Sequence, residues 1–511
     1  MADSSIAQVP ETGWALAAFR QSLARPDVVE RLRADVIGEG VSIPGPFGDV
    51  PLLYADYVAS GRALRIVEDF VMNAVLPFYA NSHTEASFCG SYVTWMRREA
   101  RAVVARCINA GPDYAVIFAG AGATAGLNKL VQALGVTEAV RRGERPVVFI
   151  GPYEHHSNIL PWRESGAEII QIDECDGGGP DLAVLEKALQ ETADRPLRIG
   201  AFSAASNVTG IVTDIDRVTA LLKKYGALSV WDYAGGGPYL PMDMAPAKGL
   251  EKDAIVVSTH KFPGGPGASG LLVVRKAAVA RTCPTQPGGG TVTFVSPWGH
   301  DYVDDLAARE EAGTPNVIGD IRVALAFLVK DAVGQAFIDR RHEELNRRAL
   351  AVWSANPNLV LLGTDKKQRL PIFSFRVRDP RGGLLHHQLF TRMLSDYHGI
   401  QARGGCACAG PYAHSLLGID RAASDNLRAA LQAGDELQKP GWVRLNFSYL
   451  LDDAKVDRII DAVDRLAREP YPAADAYTVD PSTARFKPVP KGSREAPTLF
   501  QPASSAEWGQ A

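Results

Sequence analysis

Seven short apolar runs constrain this 511-residue chain more than any other feature. They lie at residues 114–119, 146–150, 168–172, 198–202, 228–231, 254–257 and 271–274. Each run is continuous rather than alternating, the pattern of a strand buried on both faces. Helical patterns separate several of them, as at 125–134 and 182–190. Such repetition predicts an α/β fold whose large domain, over residues 51–330, holds a mostly parallel sheet covered by helices. Residues 1–50 contain the breaker-rich IPGPFGD and read as an N-terminal arm. Beyond 330 the texture changes: a long helical stretch at 324–350, apolar runs at 359–362, 372–377 and 443–447, and helices at 384–397 and 453–468. This predicts a smaller α+β domain over 331–470. Residues 471–511 are rich in Pro, Ala and Ser and read as an extended or disordered tail.

Composition excludes several functions. With 54 basic against 58 acidic residues, net −4, the chain has no electrostatic footprint for nucleic acid or an anionic membrane. No stretch approaches the ~20 apolar residues that span a bilayer. The opening MADSSIAQVPETGW has no basic, then apolar, leader, so the expected location is cytoplasmic. Six cysteines in so long a chain are no disulfide framework, and two of them sit together as Cys406-Ala407-Cys408.

Five short constellations carry chemistry. Ser258-Thr259-His260-Lys261 follows an apolar run and precedes PGGPGASG. A shielded lysine there suits a Schiff base, with hydroxyls and an imidazole to hold a phosphate; the alternative is a loop lysine on the surface. Gly120-Ala121-Gly122-Ala123-Thr124-Ala125-Gly126 is either an anion cradle at a helix start or a plain strand–helix turn. Asp232, at a strand end, is a partner for a protonated ring nitrogen or a cap. Glu154-His155-His156-Ser157-Asn158 offers a flat imidazole for stacking and proton exchange, or two polar loop histidines. No array of further ligands accompanies the histidines, so no metal site is predicted. Arg403-Gly404-Gly405-Cys406-Ala407-Cys408-Ala409-Gly410-Pro411 places thiols in a glycine-rich loop beside an arginine that favours thiolate. One CxC pair cannot close a tetrahedral metal site.

Taken together, these pieces resemble the class V aminotransferase family of fold-type I pyridoxal-phosphate enzymes. Within it they are most similar to group II cysteine desulfurases and selenocysteine lyases. The resemblance runs from about residue 54 to 468. Its landmarks are Tyr54-Ala55-Asp56, the Glu154–Asn158 stretch, Ser206-Asn207-Val208, Ser258–Lys261, Ala312-Gly313-Thr314-Pro315-Asn316 and the Cys408 loop. The resemblance implies pyridoxal 5′-phosphate as cofactor and Lys261 as its Schiff-base lysine. It implies Asp232 at the pyridine nitrogen, His155 stacked on the ring, and Thr124, Ser258 and His260 at the phosphate. Asn207 falls beside the ring hydroxyl and substrate. Thr314 would reach the phosphate of a partner subunit, which implies a homodimer. Arg444 resembles the arginine that grips the substrate carboxylate, a task suited to a guanidinium fork. The group II pattern Arg-x-Gly-x-x-Cys-Ala-x-Pro is met at every fixed place by Arg403, Gly405, Cys408, Ala409 and Pro411, which makes Cys408 the expected persulfide cysteine.

The expected activity is conversion of L-cysteine to L-alanine, with sulfur left on Cys408 and passed to Cys406 or an acceptor protein. Two departures weaken the substrate assignment. Asp232-Tyr233-Ala234-Gly235 has glycine where the family carries Gln or His, and Ala123-Thr124-Ala125 lacks the usual paired Thr and acidic residue. The stretch GGCACAGPYAHSLLGI also resembles the desulfurase domain of molybdenum cofactor sulfurases. Selenocysteine lyase, carbon–sulfur lyase, epimerase and aminotransferase activities stay open as alternatives, since one scaffold hosts many reactions. So does a non-catalytic sulfur-trafficking protein, and a nicotinamide dehydrogenase built on the glycine turn leaves Lys261 and the cysteine loop unexplained.

Overall fold

A computed structural model describes residues 14–489 apart from positions 83 and 367. Residues 1–13 and the end of the Pro-rich tail, from 490, lie outside the described residues. All seven apolar runs form one sheet: β1 (Tyr114–Phe118), β2 (Val147–Ile150), β3 (Glu168–Gln171), β4 (Arg198–Ser203), β5 (Leu228–Asp232), β6 (Ala254–Val257) and β7 (Leu271–Arg275). Their order across the sheet is β1-β7-β6-β5-β4-β2-β3. The four pairs between β6 and β3 are parallel. Only β7 runs against its neighbours β1 and β6.

The continuity of the runs has a direct cause. Successive residues of a strand point to opposite faces, and here both faces are dry. Phe118, Phe149, Phe202, Trp231 and Val257 join one buried cluster. Ile117, Val148, Ala201, Val230 and Val256, their immediate neighbours in sequence, join the other. At roughly 1.5–3 kcal/mol for each large side chain removed from water, a polar residue at any of these places is costly. Helices cover both faces, among them Gly122–Ala133 on one and Phe88–Cys107 with Val317–Val333 on the other.

The 324–350 stretch is two helices rather than one, Val317–Val333 and Gln335–Trp353. Gly334 separates them at φ 80° and ψ 135°, a conformation that a side chain resists and a helix cannot contain. Asn316 starts the first helix: its side-chain oxygen accepts the Gly319 N–H at 3.2 Å.

The C-terminal unit is built on an antiparallel sheet of β8 (Leu359–Leu361), β9 (Ile372–Arg378), β10 (Arg403–Gly405) and β11 (Trp442–Asn446), in the order β8-β9-β11-β10. Two expected boundaries shift. Leu53, Ala55 and Tyr57, read as the start of the large domain, are buried in the core of the C-terminal unit. Leu53–Tyr54 pairs in parallel with Ile400–Gln401. The N-terminal stretch is also more than an arm: in the helix Trp14–Leu23, residues Leu16, Phe19 and Leu23 are buried in the large core. The tail from 471 is ordered over its described part. Tyr477–Asp480 and Arg485–Pro488 form a hairpin, and Tyr477 and Phe486 pack on the C-terminal core. Prolines at the ends of such a hairpin do not prevent it, because an edge strand tolerates a missing donor.

Among the described residues, no helix is long and apolar enough to cross a membrane.

Candidate active site

Ligands in open α/β sheets sit beyond the carboxyl ends of the strands. Here the segments that end or follow β1, β2, β4, β5 and β6 converge on one cavity of about 250 Å³. Its walls include Thr124, His155, Asn207, Asp232, Ser258, His260 and Lys261 from the large unit, and Arg403, Cys408 and Arg444 from the C-terminal unit. Every residue assigned to the cofactor, the substrate or the nucleophile except Thr314 therefore meets in one place, while Cys406 and His156 lie outside its lining. Thr314 is exposed and does not line the cavity.

At one end lies an anion cradle. Gly122 opens the helix Gly122–Ala133 at φ 59°. A Cβ there would stand 2.9 Å from Ser258 Oγ and 3.2 Å from His260 Cε1. The Ala123 N–H donates to Ser258 Oγ at 2.9 Å, and the hydroxyls of Thr124 and Ser157 share a hydrogen bond of 2.7 Å. Helix N–H groups, three hydroxyls and an imidazole suit a phosphate.

Asp232 ends β5 and is 4 % exposed. Among the described residues its carboxyl accepts one hydrogen bond, from the Ala234 N–H to Oδ1 at 2.7 Å. Burial pushes its carboxyl up, and the nearby Lys261 charge works against that rise. Lys261 lies on the turn Thr259–Lys261 after β6. Burial brings its amine down to about 8, opposed by the charge of Asp232. The opposite charges of the two groups thus each favour the ionised form of the other, against partial or full burial.

His155 is driven down to about 4, first by burial and then by the Lys261, His156 and Arg444 charges. Its ring is neutral at ordinary pH. Nδ1 accepts the Ser157 N–H at 3.1 Å, so the proton sits on Nε2.

The part of the cavity wall that comes from the C-terminal unit carries two arginines. Arg444, on β11, and Arg403, on β10, are cross-strand partners. Both bind Asp56: Arg444 Nη2 donates to Oδ1 at 2.9 Å and Arg403 Nε to Oδ2 at 3.0 Å. Arg444 Nη1 donates to the Asn207 carbonyl at 3.2 Å, and its Nε is buried without a partner. Burial lowers the guanidinium of Arg444, against the pull of Asp56. Sequence reasoning named Asp56 only as a landmark. A lone acid reveals no partner 388 residues away.

Cys408 is exposed at the cavity wall. Ala407 and Cys408 both adopt left-handed backbone, at φ 55° and 56°, and the Ala409 N–H donates to the Cys406 carbonyl at 3.1 Å across them. For residues with a Cβ this costs about 1–2 kcal/mol each. The large unit holds the turn: Asn207 Nδ2 donates to the Ala407 carbonyl at 2.9 Å, and the His156 N–H to the Cys408 carbonyl at 2.9 Å. The glycine-rich loop is therefore tethered at its cysteine.

Behind the histidines, Glu154 is another residue whose role sequence reading missed. It accepts from Asn158 Nδ2 at 2.6 Å and from Ser203 N–H and Oγ at 2.9 and 2.7 Å, joining the loop after β2 to the end of β4. Burial pushes its carboxyl up to about 7.

Whether these residues fit pyridoxal phosphate is answered by their unmet valences. The cradle at Gly122 is a space a Cβ would fill. Among the described residues the Asp232 carboxyl has one hydrogen bond, and Asn207 Oδ1 is buried with none. A Cβ on Gly235 would meet only ordinary contacts, 3.5 Å from the Ala205 carbonyl and 3.7 Å from Asn207 Cβ. The missing Gln or His thus leaves room and does not collapse the pocket. The donor set fits the group.

Comparison with known proteins gives the same picture. The family model described as Aminotransferase class-V matches residues 53–449. A probable cysteine desulfurase of Pyrococcus abyssi is 28% identical over 377 residues, covering 71% of this chain and 87% of the relative. A cysteine desulfurase of Salmonella typhimurium is 29% identical over 387 residues, covering 75% and 89%. The apo structure of a cysteine desulfurase from Thermococcus onnurineus superposes with a TM-score of 0.67 at 24% identity, over 82% of this chain and 95% of that one. The cysteine desulfurase CsdA of Escherichia coli gives 0.64 at 23%, over 86% and 98%. At these identities the two structures show the shared fold.

Proposed function

Because the chain belongs to the class-V aminotransferase family, whose fold implies a pyridoxal-phosphate site, we propose that it is a cysteine desulfurase that takes sulfur from L-cysteine onto Cys408 and releases L-alanine. The observation that carries this reading is the position of Cys408: an exposed thiol on the wall of the cavity that also holds Lys261, Asp232 and Arg444.

In this reading Thr124, Ser258 and His260 hold the cofactor phosphate, Asp232 faces the ring nitrogen, and His155 lies against the ring. Bound there, the cofactor supplies an electron sink beside the substrate Cα. Lys261, a half-buried amine near 8, carries the Cα proton. Arg444 fixes the substrate carboxylate through its free Nε and remaining N–H groups, held in place by Asp56. Cys408 Sγ, as thiolate, attacks the substrate sulfur. The new S–S bond forms as the Cβ–S bond breaks, and its electrons end in a C–H bond of alanine. Net, the thiol of Cys408 and cysteine give the persulfide and alanine, with no outside oxidant. Asn207 touches both halves, with its Oδ1 free and its Nδ2 on the Cys408 turn. We assign the persulfide's onward path to Cys406 or an acceptor protein, the working form to a homodimer, and Thr314 to the phosphate of the second copy.

The test is product analysis of cofactor-loaded protein with L-cysteine and a reductant. Alanine equal to sulfide, lost in Cys408→Ala while the cofactor absorbance stays, is the expected result. Full activity in Cys408→Ala refutes the nucleophile, and pyruvate as the product moves the enzyme to carbon–sulfur lyase chemistry.

A further inference from the structure

The turn that presents Cys408 does not hold itself. Among the described residues, Ala407 and Cys408 are the only adjacent non-glycine pair with positive φ. Within the turn, a single backbone hydrogen bond spans them. Left alone, such a turn relaxes to right-handed or extended backbone, and the thiol swings with it.

His156 opposes this from two sides. Its main-chain N–H donates to the Cys408 carbonyl at 2.9 Å, and its ring Nε2 accepts the Gly410 N–H at 3.0 Å. One residue thereby fixes the peptide units on both sides of the Cys408–Gly410 corner. The ring can do so only while neutral with its proton on Nδ1. Burial, aided by the Arg163 charge, keeps it in that form by lowering its basicity. Gly410 belongs to the same fit: a Cβ there would lie 3.0 Å from His156 Nε2.

We propose that His156 is a positioning residue for Cys408: its ring and main chain together clamp the left-handed turn that aims the thiol into the cavity. The proposal rests on Cys408 as the nucleophile. It assigns the second histidine of the pair a task separate from that of His155, which faces the cavity.

The test uses cofactor-loaded protein and two readouts. Hydrogen exchange at residues 409–410 reports the clamp itself. Single-turnover persulfide on Cys408, read by mass spectrometry with L-cysteine, reports its consequence. His156→Ala is expected to speed exchange at 409–410 about tenfold, the change one hydrogen bond of ordinary strength carries. It is expected to slow persulfide formation by about the same factor, with KM for cysteine and the cofactor absorbance within about twofold. His156→Gln, whose side-chain oxygen replaces the acceptor, is expected to recover part of the rate. Unchanged exchange in His156→Ala overturns the clamp. Faster exchange with an unchanged persulfide rate, or a KM that rises as the rate falls, overturns the positioning role. If wild-type protein forms no persulfide, the desulfurase reading fails, and the exchange readout alone decides whether His156 holds the turn.

Discussion

Asp56 is the residue whose loss the structure prices most clearly. Its carboxylate lies between two guanidiniums of very different exposure: the Arg444 side chain is 4 % exposed, the Arg403 side chain 52 %, and Asp56 itself 11 %. The Arg403 contact is screened by water and contributes about 0–1 kcal/mol. The Arg444 contact is dry, and removing one member of a buried pair costs about 3–5 kcal/mol, because the other charge is left uncompensated. Asp56→Ala therefore destabilises the neighbourhood of Arg444 by about 4 kcal/mol. Asp56→Asn keeps a carbonyl acceptor and loses the charge, for about 2 kcal/mol. A global melting curve is a poor gauge, since a chain of two units need not unfold in one step. The Asn446 amide is a better one: it donates to the Ala55 carbonyl at 2.8 Å, beside Asp56 and two residues from Arg444. At 1.36 kcal/mol per factor of ten, native-state exchange of this amide speeds roughly thirtyfold in Asp56→Asn and roughly a thousandfold in Asp56→Ala. Exchange within about threefold of wild type in both variants would refute the argument that Asp56 neutralises a buried arginine.

Two further outcomes follow from the cavity. In the proposed reading Lys261 reacts as the neutral amine, and with its amine near 8 rather than 10.5 roughly a tenth of it is neutral at pH 7. Cofactor uptake, followed by absorbance, should rise with pH to a midpoint near 8. Asp232→Asn should move that midpoint down, because the Asp232 charge holds the amine up; a midpoint unmoved by Asp232→Asn contradicts the pairing. Gly122→Ala puts a methyl into the cradle against Ser258 and His260 and should weaken cofactor retention on dialysis at least tenfold, about 1.4 kcal/mol, while retention equal to wild type places the phosphate elsewhere.

Much of the large unit was legible because every strand of its sheet except the edge strand β3 is buried on both faces, so the apolar signal is doubled. The reversed direction of β7 was not legible, since a strand buried on both faces reads alike either way. Residues 53–57 were read into the large domain because sequence order is a guide to neighbours, and their partners at 400–401 and 446 lie some 350–390 residues later. The 324–350 stretch kept its helical period through Gly334, whose φ of 80° only the backbone reveals. At the site, residues recognisable by chemical type (Lys261, Asp232, His155, Cys408, Arg444) were found. Those whose work is to hold others, Asp56, Glu154 and His156, were not assigned it, because support depends on who stands next to whom.

The pairing of Leu53–Tyr54 with Ile400–Gln401 also sets a timetable for the growing chain. A ribosome delivers the seven strands and their helices as a nearly complete set by residue 333, so the large unit can close while synthesis continues. The C-terminal unit cannot close on its own residues. Its core includes Leu53, Ala55 and Tyr57, made some 350 residues before the Ile400–Gln401 segment they meet. Closing so long a loop is slow, and the exposed apolar side chains of Leu53 and Tyr57 are open to capture in the meantime. The same stitch works in reverse on the finished protein: a nick between the two units would leave both pieces bound, because the front of one lies inside the other.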